Sequence, residues 1–100
     1  MHYIICYDIE NDRLRGKTAK ILARHGCNRV QKSVFVAPEL LKKHLLRLQA
    51  DLQRLLAGHL SAGDSVLLVP LREEESGQIV CWGDNNILPH LEKKPLKIIL

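Results

Sequence analysis

The 100-residue chain is long enough for one small domain or one protomer of an oligomer, and its formal charge of +4 favours an acidic partner such as nucleic acid. Aromatic residues make up only 4% of the sequence, so the core must be aliphatic. The three cysteines lack the spacing of a zinc site, and their odd number favours reduced thiols over a disulfide framework. No apolar run has the roughly 18 residues that span a membrane, and the first is too short for a secretory signal. We therefore expect a cytoplasmic protein without a membrane partner.

The first apolar run, residues 2–10, predicts a buried or nearly buried β-strand that delivers the acid Asp8 to its end. β-Branched and aromatic side chains fit a pleated sheet, whereas Asp is depleted in strands. An acid at a strand end lies where a sheet opens towards a ligand or partner. Asp8 therefore has two interpretations: an acid that ends the strand or caps the next helix, or a metal-binding or catalytic carboxylate.

The next segment predicts a helix from about Arg13 to His25, capped by the Asn11-Asp12 pair and ended by Gly26. Its apolar face has helical spacing and consists of Leu14, Thr18, Ile21, Leu22 and His25. Another face carries four cations, which we call the basic stripe: Arg13, Lys17, Lys20 and Arg24. Such a stripe is commonly a solvated surface. Here the acids that would neutralise it by i,i+4 pairing are missing, which favours phosphate binding.

Residues 29–36 predict an extended segment, with a bend or short hairpin near Gln31 as an alternative because its alternation is mixed on both faces. One face carries a polar set with a single ring: Arg29, Gln31, Ser33 and Phe35. Phe35 is interpreted first as a core residue. Ser33 is not interpreted as a nucleophile, because no partner base can be identified.

A second helix is predicted to open at residues 37–39 and to end at Gly58. Leucines form its apolar seam: Leu41, Leu45, Leu48, Leu52 and Leu55. The pattern is typical of a helix packed on a sheet, since it has too few heptads for a leucine zipper.

The rest of the chain predicts short strands separated by polar loops. Residues 65–70 predict a buried strand closed by proline, and residues 72–77 a solvated acidic loop. Residues 78–82 predict another short strand, and residues 83–86 a turn. Residues 95–100 are too apolar to be left in solvent and predict a final strand, which could pair with a second protomer.

This order of elements favours an α+β fold, a ferredoxin-like βαββαβ sandwich with both helices on one face of the sheet. The other face would then need a cover. A homodimer supplies one, with C-terminal strands that extend or swap onto the partner.

Two motifs carry a resemblance to a known family. Tyr7-Asp8-Ile9 ends the first strand, and residues 29–35 read Arg-Val-Gln-Lys-Ser-Val-Phe. Together with the basic first helix and the segment from Asp64 to Pro70, they resemble the CRISPR-associated Cas-two family. The combination at this separation is specific, whereas either motif alone would be weak. The resemblance covers residues 1–71, and it implies that residues 72–100 are a variable C-terminal extension of a single domain.

The resemblance implies a ferredoxin-like homodimer that acts with the Cas-one integrase in spacer acquisition, and a metal-dependent endonuclease activity on RNA or DNA. Asp8 matches the acid that holds a divalent cation at the dimer interface, and Tyr7 matches the neighbouring aromatic residue. Arg15 and Lys17 match two basic helix residues, Lys17 being a departure if arginine is expected. The second motif supplies the remaining matches: Arg29, Ser33 and Phe35.

The implied mechanism brings two Asp8 carboxylates together across a two-fold axis, where a cation such as Mg²⁺ relieves their repulsion. The metal would polarise the scissile phosphate and activate a bound water. Asp8, Arg15 and Arg29 are the expected catalytic residues, with Asp8 as the metal ligand. The residues expected to bind nucleic acid are Arg13, Arg15, Lys17, Lys20, Arg24 and Arg29.

Three hypotheses therefore stand at this point. The first is a Mg²⁺-dependent phosphodiesterase, and the second, which does not exclude it, is a non-catalytic scaffold dimer that binds duplex DNA. The third is a small metabolite-sensing regulatory dimer of the same fold, which no glycine-rich phosphate loop supports. Cleavage itself and the choice between RNA and DNA stay open.

Overall fold

The computed structural model describes residues 1–84 and 87–91. Over the first 71 residues the elements follow the predicted order: β1 His2–Asp8, α1 Asp12–Arg24, β2 Asn28–Gln31, β3 Val34–Ala37, α2 Lys42–Leu56 and β4 Ser65–Leu71. Two short helices follow, α3 Glu73–Ser76 and α4 Leu88–Leu91. No helix in the described part of the chain combines the length and the apolar character needed to cross a bilayer.

In the described residues, β1 to β4 form one antiparallel sheet in the order β2-β3-β1-β4. In the central strand, Ile5 lies opposite Phe35 of β3 on one side and Leu68 of β4 on the other. The helices α1 and α2 both contribute to the core cluster on one face of this sheet. This strand order, with both helices on one face, is that of the predicted ferredoxin-like sandwich.

The core lies between the helices and the face of the sheet that presents Ile5 and Phe35. Leu22 of α1 and Leu48 of α2 are fully buried against this face. The predicted apolar face of α1 is confirmed by the burial of Leu14, Thr18 and Leu22. Thr18 is accommodated because its Oγ1 donates a hydrogen bond to the Leu14 carbonyl oxygen at 2.9 Å.

The described residues cover only one half of the opposite face of the sheet. Val30 and Val36 pack beneath Leu91, with Ile79 and Ile87 beside it. Alternation along β1 and β4 places the remaining residues on an uncovered area, which we call the open sheet face: Ile4, Cys6, Asp8, Leu67 and Val69. Leu67 is 57% exposed and Val69 is 42% exposed. The prediction that β4 is a buried strand is therefore wrong for this side.

The hairpin alternative for residues 29–36 is confirmed, with the strands extending to Asn28 and Ala37. β2 and β3 pair antiparallel, with a β-bulge between Arg29 and Gln31. Because the bulge inserts an extra residue, it shifts the side-chain alternation within β2, which explains the mixed pattern of the sequence.

α2 begins at Lys42, later than the predicted opening at residues 37–39. Ala37 still belongs to β3, and Glu39 has a positive φ of 50°, which is incompatible with helix. The Glu39 backbone N–H donates to Nδ1 of the buried His2 at 2.9 Å, so this connection is fixed to β1. Leu41, predicted in the leucine seam, is instead the exposed N-cap residue.

The segment after β4 differs from the prediction. The acidic stretch predicted as a loop contains α3, whose first turn is closed by the Glu75 carboxylate accepting from the Arg72 backbone N–H at 3.0 Å. Residues 78–82, predicted as a strand, form none, because strand propensity is realised only against a neighbouring strand or packed surface. Trp82 in this segment is 87% exposed. The predicted strand at 95–100 lies outside the described residues.

Candidate metal and nucleic-acid site

Asp8 is exposed at the last position of β1, on the open sheet face. It lies opposite Ser65, the first residue of β4, so it is at the end of the sheet ladder. Cys6 and Ile4 follow it along the same side of the strand. The carboxylate is therefore accessible from the uncovered side of the sheet, next to exposed apolar side chains.

Asp8 is a suitable ligand for a hard cation, but it is a single carboxylate. Across residues 1–84 and 87–91, no group of three or more His, Cys, Asp or Glu side chains is placed to hold a metal ion. Mg²⁺ prefers oxygen ligands, keeps several waters, and is often held by one or two carboxylates plus substrate phosphate. Asp8 could therefore supply one of these carboxylates.

Arg15 holds the loop that follows Asp8. Its Nη1 donates to the carbonyl oxygens of Ile9 at 2.9 Å and Glu10 at 3.2 Å, and its Nη2 forms an ion pair with Asp12. The guanidinium predicted to stabilise phosphate charge thus makes backbone contacts beside the candidate ligand.

Two further side chains fix the same loop. Asn11 is the N-cap of α1, and its Oδ1 accepts from the Leu14 backbone N–H at 2.8 Å, as its sequence position predicts. Asp64 was not among the predicted site residues, yet its Oδ1 accepts from the Glu10 backbone N–H at 3.1 Å. The sequence places Asp64 directly before the strand predicted at residues 65–70, and only the pairing of β4 with β1 brings it to the loop.

The basic stripe lies on the exposed side of α1. Arg13 and Lys17 line a cleft of about 370 Å³ between α1 and the end of α2, where Arg54 and His59 lie on the opposite wall. Arg54 also borders a smaller cleft beside Arg24. The packing of α1 against α2 therefore adds Arg54 to the cations of the basic stripe, which the spacing within α1 alone could not predict.

A second groove lies between α1 and β2. It has a volume of about 680 Å³ and is lined by three of the cations expected to bind nucleic acid, Arg15, Lys20 and Arg29. Phe35 and Asp12 also border it. The six predicted cations are thus distributed over the groove between α1 and β2 and the two clefts between α1 and α2.

The two sequence motifs are in contact with each other. The Arg29 guanidinium donates to the Lys32 carbonyl oxygen at 3.2 Å from Nε and 2.7 Å from Nη2, and its Cζ lies 5.4 Å from the centre of the Phe35 ring. The rings of Phe35 and Tyr7 are 6.2 Å apart, and the Tyr7 backbone N–H donates to the Ser33 carbonyl oxygen at 3.1 Å. Phe35 is 2% exposed, as its interpretation as a core residue requires. These residues therefore pack the hairpin against β1.

Two of the three thiols are poor nucleophiles. Burial raises the pKa of Cys6, and it raises the pKa of Cys27 to about 11. Both side chains are therefore protonated at neutral pH, and the reactive thiolate is scarce. Neither is a candidate for nucleophilic catalysis.

A polar pair joins α2 to the C-terminal end of α1. His25 Nε2 lies 2.7 Å from Asp51 Oδ2, and Arg54 Nη1 donates to Asp51 Oδ1 at 3.1 Å. The hydrogen bond with His25, followed by that with Arg54, lowers the pKa of the Asp51 carboxyl. His25, predicted on the apolar face of α1, thus uses its ring nitrogen to tie the two helices together.

We expect Asp51→Asn to lower the stability of the fold at neutral pH, because the negative charge that strengthens the hydrogen bonds with His25 and Arg54 is removed. Since the folded-state pKa of Asp51 is lowered, its contribution is present above the ordinary pKa of about 4 and is lost as pH falls through the lower folded value. Urea unfolding of both proteins from about pH 7 to pH 3 should show the difference shrinking on the acid side. A difference that grows towards low pH would contradict this assignment.

Comparison with known proteins identifies the family. The model of the family described as CRISPR associated protein Cas2 matches residues 1–79. A relative from Synechocystis sp., named CRISPR-associated endoribonuclease Cas2 3, is 37% identical over 98 residues, which cover 98% of this chain and 97% of that protein. A second Synechocystis relative, CRISPR-associated endoribonuclease Cas2 2, is 35% identical over 105 residues, with the same coverage of 98% and 97%.

Two solved structures are similar in fold. A hypothetical protein from Thermus thermophilus is 33% identical, with a TM-score of 0.59 over 71% of this chain and 80% of that one. Cas2 from Streptococcus pyogenes is 18% identical, with a TM-score of 0.67 over 83% of this chain and all of that one, and it supports the fold alone. From the matched motifs, the family model and the full-length relatives, it follows that the chain belongs to the CRISPR-associated Cas2 (Cas-two) family.

Proposed function

We propose that the chain is a cytoplasmic CRISPR adaptation protein whose homodimer binds nucleic acid, acts with the Cas-one integrase in spacer acquisition, and cleaves phosphodiester bonds with a divalent cation. The observation that carries the nuclease part is the exposed Asp8 carboxylate at the end of the open sheet face. The full-length Synechocystis relatives are named endoribonucleases, which favours RNA as the substrate.

The open sheet face supports a homodimer. Leu67 and Val69 lie exposed beside Asp8, and a second copy of the chain would bury them. A two-fold axis at this face would bring the two Asp8 carboxylates together, where their repulsion favours a bound cation. Light scattering should then give twice the 11.4 kDa of one chain.

The residues of the site would divide the work of cleavage. Asp8 from each copy would hold the cation, which when bound supplies Lewis-acid polarisation of the phosphate and an activated water. The basic stripe and Arg54 would bind other phosphates of the nucleic acid, on the helix side and away from the bond at Asp8. Arg15 acts mainly on the Asp8 loop, because its donors already contact Ile9 and Glu10 carbonyl oxygens.

The direct test is cleavage of labelled single-stranded RNA and double-stranded DNA, each with Mg²⁺ and with a chelator, with binding measured in the same samples. We expect RNA to be cut only in the presence of Mg²⁺. Binding without cleavage of either substrate would replace the nuclease with a non-catalytic scaffold. Cleavage that survives the chelator would contradict the metal mechanism.

The basic stripe predicts a strong effect of charge reversal on binding. Changing Arg13, Lys17 and Lys20 together to glutamate should weaken nucleic-acid binding about a hundredfold at low salt, because each lost phosphate contact also removes counterion release. The slope of log affinity against log salt should fall by up to about three. Fluorescence anisotropy over a salt series measures both quantities.

A matched control is offered by three exposed cations at the start of α2: Lys42, Lys43 and Arg47. Their reversal to glutamate changes the net charge by the same amount at a different place. If both triple variants lose the same affinity, binding follows net charge alone and the stripe is not the binding surface.

A further inference from the structure

The carboxylate of Asp64 links two loops at the end of the sheet. Its Oδ1 accepts from the Glu10 backbone N–H at 3.1 Å, and its Oδ2 accepts from the Ser61 backbone N–H at 2.9 Å. The Asp64 backbone N–H in turn donates to the Ser61 carbonyl oxygen at 3.0 Å. Both carboxylate oxygens are thus occupied, one by each loop.

These contacts begin where the sheet ladder ends. Asp8 pairs with Ser65, and this pair is the last of the β1–β4 register. Asp64 directly precedes Ser65, and Glu10 lies two residues beyond Asp8. The hydrogen bond from the Glu10 backbone N–H to the Asp64 side chain therefore joins the chain after β1 to the chain before β4, beyond the last backbone pair of the ladder.

Arg15 holds the same peptide groups through their oxygens. Its Nη1 donates to the Ile9 and Glu10 carbonyl oxygens, while Asp64 takes the Glu10 N–H. Glu10 is therefore fixed at both its donor and its acceptor, in each case by a charged side chain. Hydrogen bonds with one ionised partner are stronger than neutral ones, so these contacts favour one conformation of the loop.

We propose that Asp64 is a positioning residue for Asp8, with Arg15 as its counterpart on the other side of the loop. Strand alternation places Asp8 on the open sheet face, and Asp64 keeps the chain after Asp8 in line with β4, so that the end of the strand that carries the carboxylate is held in place. The part of this inference that concerns the cation rests on the proposed function. The part that concerns the order of the loop does not.

A purely structural role for Asp64 has a different signature. In that case, its loss would lower the stability of the whole fold and raise amide exchange across the sheet and helices together. A positioning role confines the change to the loop, since the core packs through other residues. Local and global effects are separated by comparing the exchange of the Glu10 amide with that of the buried Ile5 and Leu48 amides.

The experiment uses the full chain with Asp64→Ala and Asp64→Asn, followed by NMR amide exchange. In Asp64→Ala we expect exchange at Glu10 to rise roughly tenfold, with Ile5 and Leu48 unchanged and the Asp8 resonances shifted. Asp64→Asn keeps one acceptor oxygen and should fall between alanine and wild type. The inference would be overturned if the Glu10 amide of Asp64→Ala exchanged at the wild-type rate. It would also be overturned if exchange rose equally at the Glu10, Ile5 and Leu48 amides.

A Mg²⁺ titration monitored at the Asp8 resonances tests the cation part. Asp64→Ala should bind Mg²⁺ about 10- to 100-fold more weakly than wild type, the usual effect of losing a residue that orients a metal ligand. Asp51→Asn is the matched control, because Asp51 also joins two elements but lies on the helices, and it should leave Mg²⁺ binding unchanged. If wild type shows no Mg²⁺ response, the metal proposal fails, whereas the exchange data still decide the role of Asp64.

Discussion

Replacing Asp8 with asparagine is expected to lower Mg²⁺-dependent cleavage of RNA by roughly a hundredfold to a thousandfold. Asparagine has nearly the same shape as aspartate, but it lacks the negative charge that offsets a divalent cation. Because Asp8 is exposed and makes none of the core contacts, the stability of the fold should change by no more than about 0.5 kcal/mol. Nucleic-acid binding should persist, since the basic stripe lies on α1 rather than on the open sheet face.

Activity is measured with labelled RNA at saturating protein, with and without Mg²⁺, and binding is measured in parallel by anisotropy. Asp84→Asn serves as the control, since Asp84 is also an exposed acid but lies in the segment after β4. A variant that cleaves as fast as wild type would show that Asp8 is a structural acid at the end of a strand. Cleavage would then depend on other residues, and the assignment of Asp8 as the metal ligand would be wrong.

Truncating Phe35 to alanine is expected to cost about 3–5 kcal/mol of unfolding free energy. The ring is 2% exposed and its centre lies 6.2 Å from that of the Tyr7 ring. It also contacts the Arg29 guanidinium, whose Cζ lies 5.4 Å from the ring centre. Its loss would leave a cavity where the hairpin meets β1 and the helices. Domains are typically stable by about 5–15 kcal/mol, so this loss is a large part of the total, and a measurable fraction of the variant should be unfolded without denaturant if the wild type lies at the lower end of that range.

Urea unfolding followed by circular dichroism, at one fixed protein concentration, measures this effect. Trp82→Ala is the matched control, because Trp82 is the larger aromatic residue but is 87% exposed, and its removal should cost less than about 0.5 kcal/mol. Equal losses from the two truncations would mean that Trp82 is covered in solution, or that Phe35 contributes little to packing.

The sequence predicted those parts of the fold whose signals are local. α1 has a cap, an apolar period and a terminal glycine in the right order, and the structure places it within one residue of the prediction. The late start of α2 could not be predicted, because it depends on the left-handed backbone of Glu39 and its bond to His2. The predicted strand at residues 78–82 had adequate composition, but composition cannot tell whether a partner strand is available.

The candidate site divides in the same way. Asp8 could be identified because an acid at the end of an apolar run is visible in the sequence, and the basic stripe follows from helical period alone. Arg54 and Asp64 could not be identified, since they reach the site through helix packing and strand register, over separations of many residues. The family resemblance identifies Arg15 as a site residue. Its contacts with the Ile9 and Glu10 carbonyl oxygens could not be predicted, because they depend on the conformation of the folded loop.

The exposure of Trp82 has a consequence for spectroscopy. It is the only tryptophan of the sequence, and it lies in water on the segment after β4, away from the aliphatic core. The folded chain should therefore emit near the wavelength of a solvated indole, and this wavelength should change little on unfolding. The same emission would move to shorter wavelength when another molecule covers residues 78–84. The emission wavelength of Trp82 should therefore report docking at residues 78–84, while it should be a poor measure of unfolding.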